Sequence, residues 1–266
     1  MPCLKENEKG HIQFMKKRQS HLGADLIRAA ASLLFPSSCL CCGIFLPLEQ
    51  KICRNCLDQL PVISITDPVC RRCGRPFRGI TGTNHLCGRC LGSPAPLSSV
   101  YSIALYVEPV KTALKRLKYQ GDTTGIPLLA ACLEQSGFSL TGAVSCRLDY
   151  IIPVPLHIKR LRKRGVNQSL MLAKKLFPEH KNIIRPELLK RRINTISQTF
   201  LDKKERRLNL KNAFQAGPKN QLAGKNICLI DDIYTTGSTL DECAKTLIKS
   251  GVNEVHAITI ARTSAR

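Results

Sequence analysis

The sequence predicts an α/β protein: a parallel sheet flanked by helices, preceded by a small cysteine-rich double module. From residue 99 onward, apolar strand-like runs alternate with helix-like runs, the pattern of a sheet covered by helices. Before residue 92, eight cysteines stand in four C-x-x-C pairs, a spacing that belongs to metal or redox chemistry rather than to core packing. A length of 266 residues, 43% hydrophobic and 23% charged, has room for one large domain or two small ones and excludes a chain disordered throughout.

Residues 1–36 form an N-terminal extension. Leu22, Leu26, Ala30, Leu33 and Leu34 recur at helical spacing until Pro36 ends the pattern, which predicts a short amphipathic helix. The best apolar run, residues 29–35, is interrupted by Ser32 and falls far short of the roughly eighteen residues that cross a bilayer. No membrane span is expected. Residues 1–10 are polar and mixed in charge, without the basic, apolar, small order of a secretory leader, so the expected compartment is the cytoplasm.

Residues 37–91 hold the pairs Cys39/Cys42, Cys53/Cys56, Cys70/Cys73 and Cys87/Cys90. They form an internal repeat: C-x-x-C-G, nine residues, C-x-x-C-L, then C-x-x-C-G, twelve residues, C-x-x-C-L. Two similar modules therefore lie in series. A C-x-x-C turn brings two thiolates to one side of a metal at about 2.3 Å, and two such turns complete a tetrahedral zinc shell. Gly43 and Gly74 follow the first pair of each module, where the turn calls for positive φ. A shell of four cysteines leaves no open position, so the two expected zinc ions are structural. Shells filled in sequence order are favoured by the short spacers, with interleaved shells as the alternative, and thioredoxin-like redox pairs compete with the zinc reading. Cys41 is an alternative ligand to Cys39. Cys3, Cys132, Cys146, Cys228 and Cys243 have no partner at useful spacing and read as small buried or incidental thiols.

Residues 92–98, rich in Gly, Ser and Pro, mark a linker, and a second domain is expected over 99–266. Strands are predicted over 99–107, 150–154, 226–230 and 255–260. Helices are predicted over 110–118, 126–135, 168–176, 201–210 and 240–248. In the stretch from Ile227 to Leu240, an apolar strand runs into Asp231 and Asp232, then into a hydroxyl-rich turn of Thr235, Thr236, Gly237, Ser238 and Thr239, then into a helix. That order sets backbone N–H groups and a positive helix end at the C-terminal edge of a sheet, where a phosphate is favoured. Two ionised carboxylates beside it, acceptors only, suit the hydroxyls of an attached sugar.

The net charge of +22 is uneven: residues 159–211 carry 17 basic and 4 acidic residues, a net of +13. Such a field attracts polyanions and phosphorylated small molecules. Arg160, Arg162, Lys163, Arg164, Asn167, Gln168, Arg191 and Arg192 are the candidate contacts to pyrophosphate or DNA. A backbone-tracking groove for single strands is compatible with this charge, although the chain has no tryptophan and only 5% aromatic residues for base stacking.

The string from Ile227 to Leu240 resembles the phosphoribosyl pyrophosphate (PRPP) signature of type I phosphoribosyltransferases. The stretches 152–157 and 164–168 resemble that family's pyrophosphate-loop region, and Arg192, Thr195, Gln198, Arg206 and Asn209 fall in a stretch resembling its mobile loop. With the paired zinc module in front, residues 37–266 resemble the ComF family of competence-associated, phosphoribosyltransferase-like proteins. The resemblance implies that Thr235, Thr236, Gly237, Ser238 and Thr239 hold the 5′-phosphate of PRPP and that Asp231 and Asp232 hold the ribose hydroxyls. Mg²⁺ would accompany the pyrophosphate, and Asp231, Asp232 and Arg164 would form the catalytic set. It also implies handling of incoming single-stranded DNA in natural transformation, on the cytoplasmic side at the inner face of the membrane, with DNA-uptake helicase or channel components as partners. The alternative is an active Mg²⁺-dependent phosphoribosyltransferase, a glycosyltransferase acting on PRPP, with an amidophosphoribosyltransferase-like or nucleobase acceptor. Thr235 stands where 6-oxopurine salvage enzymes carry an acid, which disfavours hypoxanthine and guanine.

Overall fold

The structure is a computed structural model that describes residues 37–47, 50–77, 82–92, 95–140, 146–194 and 210–264. The helix expected within residues 1–36, most of that expected over 201–210, and the mobile-loop residues Thr195, Gln198, Arg206 and Asn209 lie outside the described residues. The chain divides into two compact units, Met1–Gln59 and Leu60–Arg266.

In the first unit, β1 (Ser37–Ser38) pairs antiparallel with β2 (Phe45–Leu46), and α1 (Arg54–Asp58) follows with Cys53 as its N-cap. In the second unit, the second C-x-x-C-G turn leads to α2 (Gly88–Leu91), which starts after Cys87. The stretch 92–98 reaches the sheet as ordered backbone at its end: Leu97 is buried and the Ser98 N–H donates to the Val255 carbonyl at 2.9 Å.

The sheet comprises β3 (Ser99–Leu105), β8 (Glu254–Arg262), β7 (Asn226–Tyr234) and β4 (Tyr150–Pro153), in that spatial order and all parallel. Its two central strands are buried on both faces, which is why they read as nearly continuous apolar runs. Helices α3 (Val110–Gln120) and α4 (Ile126–Gln135) follow β3, and α5 (Ile158–Arg164) and α6 (Gln168–Leu176) follow β4. A two-stranded antiparallel ribbon, β5 (Leu189–Arg191) with β6 (Phe214–Ala216), precedes the short α7 (Lys219–Leu222). Helix α8 (Ser238–Lys249) joins β7 to β8 as the crossover of a βαβ unit.

The expected strands and helices that fall on described residues are present with edges moved by a few residues, and one shift matters. The apolar run of β7 ends at Ile230, yet the strand continues through Asp231 and Asp232 to Tyr234 because β8 is long enough to pair with it as far as Arg262. The acid pair thus sits on the sheet itself, not on a loop beyond it. Helix α5 and the β5–β6 ribbon were not legible: α5 is almost wholly basic and has no apolar stripe.

Candidate functional site

A cavity of about 390 Å³ opens at the C-terminal edge of the sheet. Its floor is the end of β7, with Asp231, Asp232 and Tyr234; one wall is the turn into α8, with Thr235, Gly237, Ser238 and Thr239. Gly237 lies at φ +82°, and a Cβ there would stand 2.5 Å from the Tyr234 hydroxyl, so the turn is closed against the ring beneath it. Thr236 does not line the cavity. Its hydroxyl is 2.8 Å from that of Ser238, and its carbonyl accepts from the Arg89 guanidinium.

The acid pair is held from several sides. Asp231 Oδ1 accepts from the Ser169 hydroxyl at 3.1 Å and from the Asp232 N–H at 2.9 Å; Asp232 Oδ2 lies 3.5 Å from Lys118 Nζ. Burial, and then the neighbouring Asp232 charge, push the Asp231 carboxyl up to about 7. Two adjacent carboxylates in a part-buried cleft resist ionising together unless a cation or donors arrive, which is the condition of a site awaiting a charged ligand.

The opposite wall is basic. Arg160 and Arg164 come from α5, and Arg191 from the end of β5, where its guanidinium lies over the Phe214 ring at 5.5 Å. Burial, and then Arg160 beside it, hold Arg191 down to about 10; burial and Arg164 lower Arg160 as well. Three like charges facing one cleft favour an anion between them. Arg164 also lies 5.8 Å from the Tyr119 ring and donates to Gln168 Oε1 at 3.3 Å.

Among the candidate contacts, the cavity collects Arg160, Arg164, Gln168 and Arg191 with the acid pair. Arg162, Lys163, Asn167 and Arg192 are not in its lining. Asn167 caps α6, accepting from the Ser169 and Leu170 N–H groups and donating to the Val154 carbonyl at 3.2 Å, which is a positioning role. Lys115, Lys118 and Tyr119 of α3 line the cavity and were missed, because nothing in a polar helix face announces which distant strand it overlooks.

The cysteines group into two sets in sequence order. The sulfurs of Cys39, Cys42, Cys53 and Cys56 lie within 4.8 Å of one another, as do those of Cys70, Cys73, Cys87 and Cys90. Four sulfurs at about 2.3 Å from one tetrahedral ion stand about 3.8 Å apart. Cys42 to Cys53 is 3.7 Å and Cys73 to Cys87 is 3.8 Å, so both sets fit zinc, and Cys41 is outside the first set. Backbone N–H groups point at three of the sulfurs, Cys53 N–H to Cys39 at 3.3 Å, Cys56 N–H to Cys53 at 3.4 Å and Cys87 N–H to Cys70 at 3.4 Å, bonds that favour thiolates. Zinc bound here would be structural, pinning each turn to the helix that follows. Cys132, Cys228 and Cys243 are fully buried, in keeping with packing thiols. Among the described residues, no helix is long and apolar enough to cross a membrane.

Comparison with known proteins agrees with both halves. A family model described as a double zinc ribbon domain matches residues 30–91, and one described as a phosphoribosyl transferase domain matches residues 108–266. Competence protein F of Haemophilus influenzae is 36% identical over 180 residues, covering 65% of this chain and 76% of that protein. DNA utilization protein YhgH of Escherichia coli O157:H7 is 32% identical over 175 residues, with the same coverage. Competence protein ComFC of Bacillus subtilis is 30% identical over 164 residues, covering 61% of this chain and 63% of its own length. A paired zinc ribbon ahead of a phosphoribosyltransferase domain, shared with relatives named for competence, makes this chain a member of the ComF family.

Proposed function

We propose that the protein handles incoming single-stranded DNA during natural transformation, on a phosphoribosyltransferase scaffold that binds PRPP with Mg²⁺. One observation carries the reading: a single cleft gathers the acid pair, the hydroxyl turn and the guanidinium groups of Arg160, Arg164 and Arg191. Asp231 and Asp232 would accept the ribose hydroxyls, the turn from Thr235 to Thr239 would hold the 5′-phosphate, and the arginines would face the pyrophosphate. Mg²⁺, which prefers oxygen ligands and binds largely through phosphates, would neutralise charge on that pyrophosphate. In this reading residues 37–91 act as the zinc module, 99–266 as the transferase-like domain and 1–36 as an extension, working in the cytoplasm at the inner face of the membrane with helicase or channel components of DNA uptake. The names of the relatives, competence protein and DNA utilization protein, support the DNA role.

Calorimetric titration with PRPP and Mg²⁺ tests the small ligand. Asp231 accepts from ribose more strongly as the carboxylate, so affinity should rise with pH up to about pH 7 and level off above it. Asp232→Asn should weaken binding by about 1.5–3 kcal/mol, the loss of a charge-assisted hydrogen bond, without unfolding the protein. Equal affinity in wild type and variant would place the ligand elsewhere.

Fluorescence anisotropy with a labelled single strand tests the polymer. Binding should be sequence-independent and fall with salt at a log–log slope of about −0.7 per phosphate neutralised. Arg162→Ala with Lys163→Ala, both outside the cleft, should reduce that slope by about 1.4 and leave PRPP affinity unchanged. Arg160→Ala should lower both affinities if one anionic surface serves both ligands. Absence of DNA binding at low salt would sink the DNA reading and leave an active transferase with a small-molecule acceptor.

A further inference from the structure

At the opposite edge of the sheet, where the strands begin, two side chains of β8 meet one from 110 residues earlier in the sequence. His256, on the third residue of β8, is 4% exposed. Its Nε2 lies 3.0 Å from Glu254 Oε2 and 3.5 Å from Cys146 Sγ, and the three donor atoms fall within 4.8 Å of one another. Its other ring nitrogen, Nδ1, is 2.7 Å from the Ser99 hydroxyl on the neighbouring strand β3. Among the described residues this is the one such grouping of metal-ligating side chains outside the two four-cysteine sets.

We propose that Cys146, Glu254 and His256 bind a zinc ion at this edge of the sheet, with a fourth position left to water. The geometry fits. With bonds of about 2.3 Å to sulfur and 2.0–2.1 Å to nitrogen and oxygen, tetrahedral angles put sulfur and nitrogen about 3.6 Å apart and nitrogen and oxygen about 3.4 Å apart. The observed sulfur–nitrogen separation is 3.5 Å; the nitrogen–oxygen separation of 3.0 Å needs only a small swing of Glu254, whose side chain is 43% exposed and free to turn. A proton on Nε2 serves one facing atom at a time, whereas a divalent ion engages the nitrogen, the sulfur and the carboxylate together. The Ser99 hydroxyl, 2.7 Å from Nδ1, can accept from Nδ1–H, and in that tautomer the Nε2 lone pair is left for a metal, the usual arrangement of a ligating imidazole. A mixed set of one nitrogen, one sulfur and one oxygen suits a borderline ion such as Zn²⁺ and not the oxygen-seeking Mg²⁺ or Ca²⁺. The ion would clasp the segment ahead of β4 to the start of β8. Glu254 and Cys146, only part-buried, leave its open side accessible to solvent.

The test counts zinc in the full-length protein equilibrated with Zn²⁺ and then washed with chelator of increasing strength. Wild type should hold three ions per chain and fall to two before either four-cysteine site is emptied. Cys146→Ala, a small change at a part-buried position, should hold two from the start, with the same two most resistant ions. Since His256 is buried and its removal threatens the fold, Glu254→Gln is the second variant, expected to release the third ion at a weaker chelator than wild type does. As a separate readout, Co²⁺ admitted to the weak site should give a thiolate charge-transfer band in wild type and none in Cys146→Ala. Two zinc ions in wild type at saturating Zn²⁺, or three retained in Cys146→Ala, would overturn the proposal and leave a hydrogen-bonded cluster.

Discussion

In the first cysteine cluster, the Gly43 N–H donates to the Cys39 carbonyl at 2.9 Å and the Cys39 N–H to the Ile44 carbonyl at 2.8 Å. In the second, Gly74 donates to Cys70 at 2.8 Å and Cys70 to the Arg75 carbonyl at 2.8 Å. Each turn is followed by a short helix begun at a cysteine, Cys53 or Cys87. The repeated C-x-x-C-G therefore builds the same knuckle twice. What surrounds it differs. In the first set Cys39 is buried, Cys53 and Cys56 are part-buried and Cys42 is exposed, whereas Cys70, Cys73, Cys87 and Cys90 are all buried, in one apolar cluster with Ile227, Leu229, Tyr234 and Leu240. Arg262, at the end of β8, donates to the Cys73 carbonyl at 2.6 Å and lies over the Tyr234 ring, while Arg89 reaches the Thr236 carbonyl. One knuckle belongs to the small first unit; the other is part of the support beneath the hydroxyl-rich turn into α8. Metal geometry is coded locally, and the use made of it is not.

Breaking the shells should separate the two most clearly. Structural zinc contributes about 10 kcal/mol or more of apparent binding free energy in small modules, so either loss is large locally. Cys87→Ser is expected to lower the main thermal transition and abolish PRPP binding, because the second knuckle shares a core with β7 and α8. Cys53→Ser is expected to release one zinc and leave both unchanged. Thermal melts, zinc content and calorimetry on the pair decide it; equal damage from both variants would mean that the clusters are coupled.

A smaller contrast lies in the two turn glycines. Both have positive φ, +78° at Gly43 and +65° at Gly74, so alanine at either costs about 1–2 kcal/mol of backbone strain. At Gly43 the new methyl meets nothing within 4 Å. At Gly74 it runs into the Val100 carbonyl of β3, which cannot swing away as a side chain could. Gly74→Ala should therefore destabilise the protein by about 1–3 kcal/mol more than Gly43→Ala. Denaturant midpoints for the two variants give the comparison directly.

The same local-versus-distant division governs how much was legible in the sequence. The zinc ligands are readable because they stand at fixed spacing, and since each shell closes within 21 residues or fewer the short spacers favour the local pairing over the interleaved one, a choice that the fold makes. The central strands and α8 are readable because burial on both faces writes an apolar run. The continuation of β7 through Asp231 and Asp232 is not, since the acids interrupt that run and only the pairing with β8 shows the strand going on. Lys118 and the tie from Arg89 to Thr236 are not legible because their partners are set by the fold; Arg89 and Thr236 are 147 residues apart. Cys146 read as an incidental thiol for the same reason, its neighbours lying on the last strand.

The smallest expected effect is at Arg89, and it addresses the link most directly. Arg89 sits between zinc ligands Cys87 and Cys90, so its backbone position is fixed by the metal while its guanidinium holds the Thr236 carbonyl. Because Arg89 is exposed, the bond lies at the modest end of the range for charged donors, about 1 kcal/mol, which is about a fivefold loss in PRPP affinity for Arg89→Ala. Zinc content should not change. Arg54, between Cys53 and Cys56 in the first knuckle, is the control: it pairs with Asp58 one turn along an exposed helix, and Arg54→Ala should leave PRPP affinity as it was. Removing a cation near an anion site also weakens binding through the long-range field, and Arg89→Lys separates the two causes. Lysine keeps the charge but lacks the planar fork; if affinity stays low, the hydrogen bond positions the turn, and if lysine restores it in full, the field alone accounts for the loss and the second knuckle supports the turn only through the shared core.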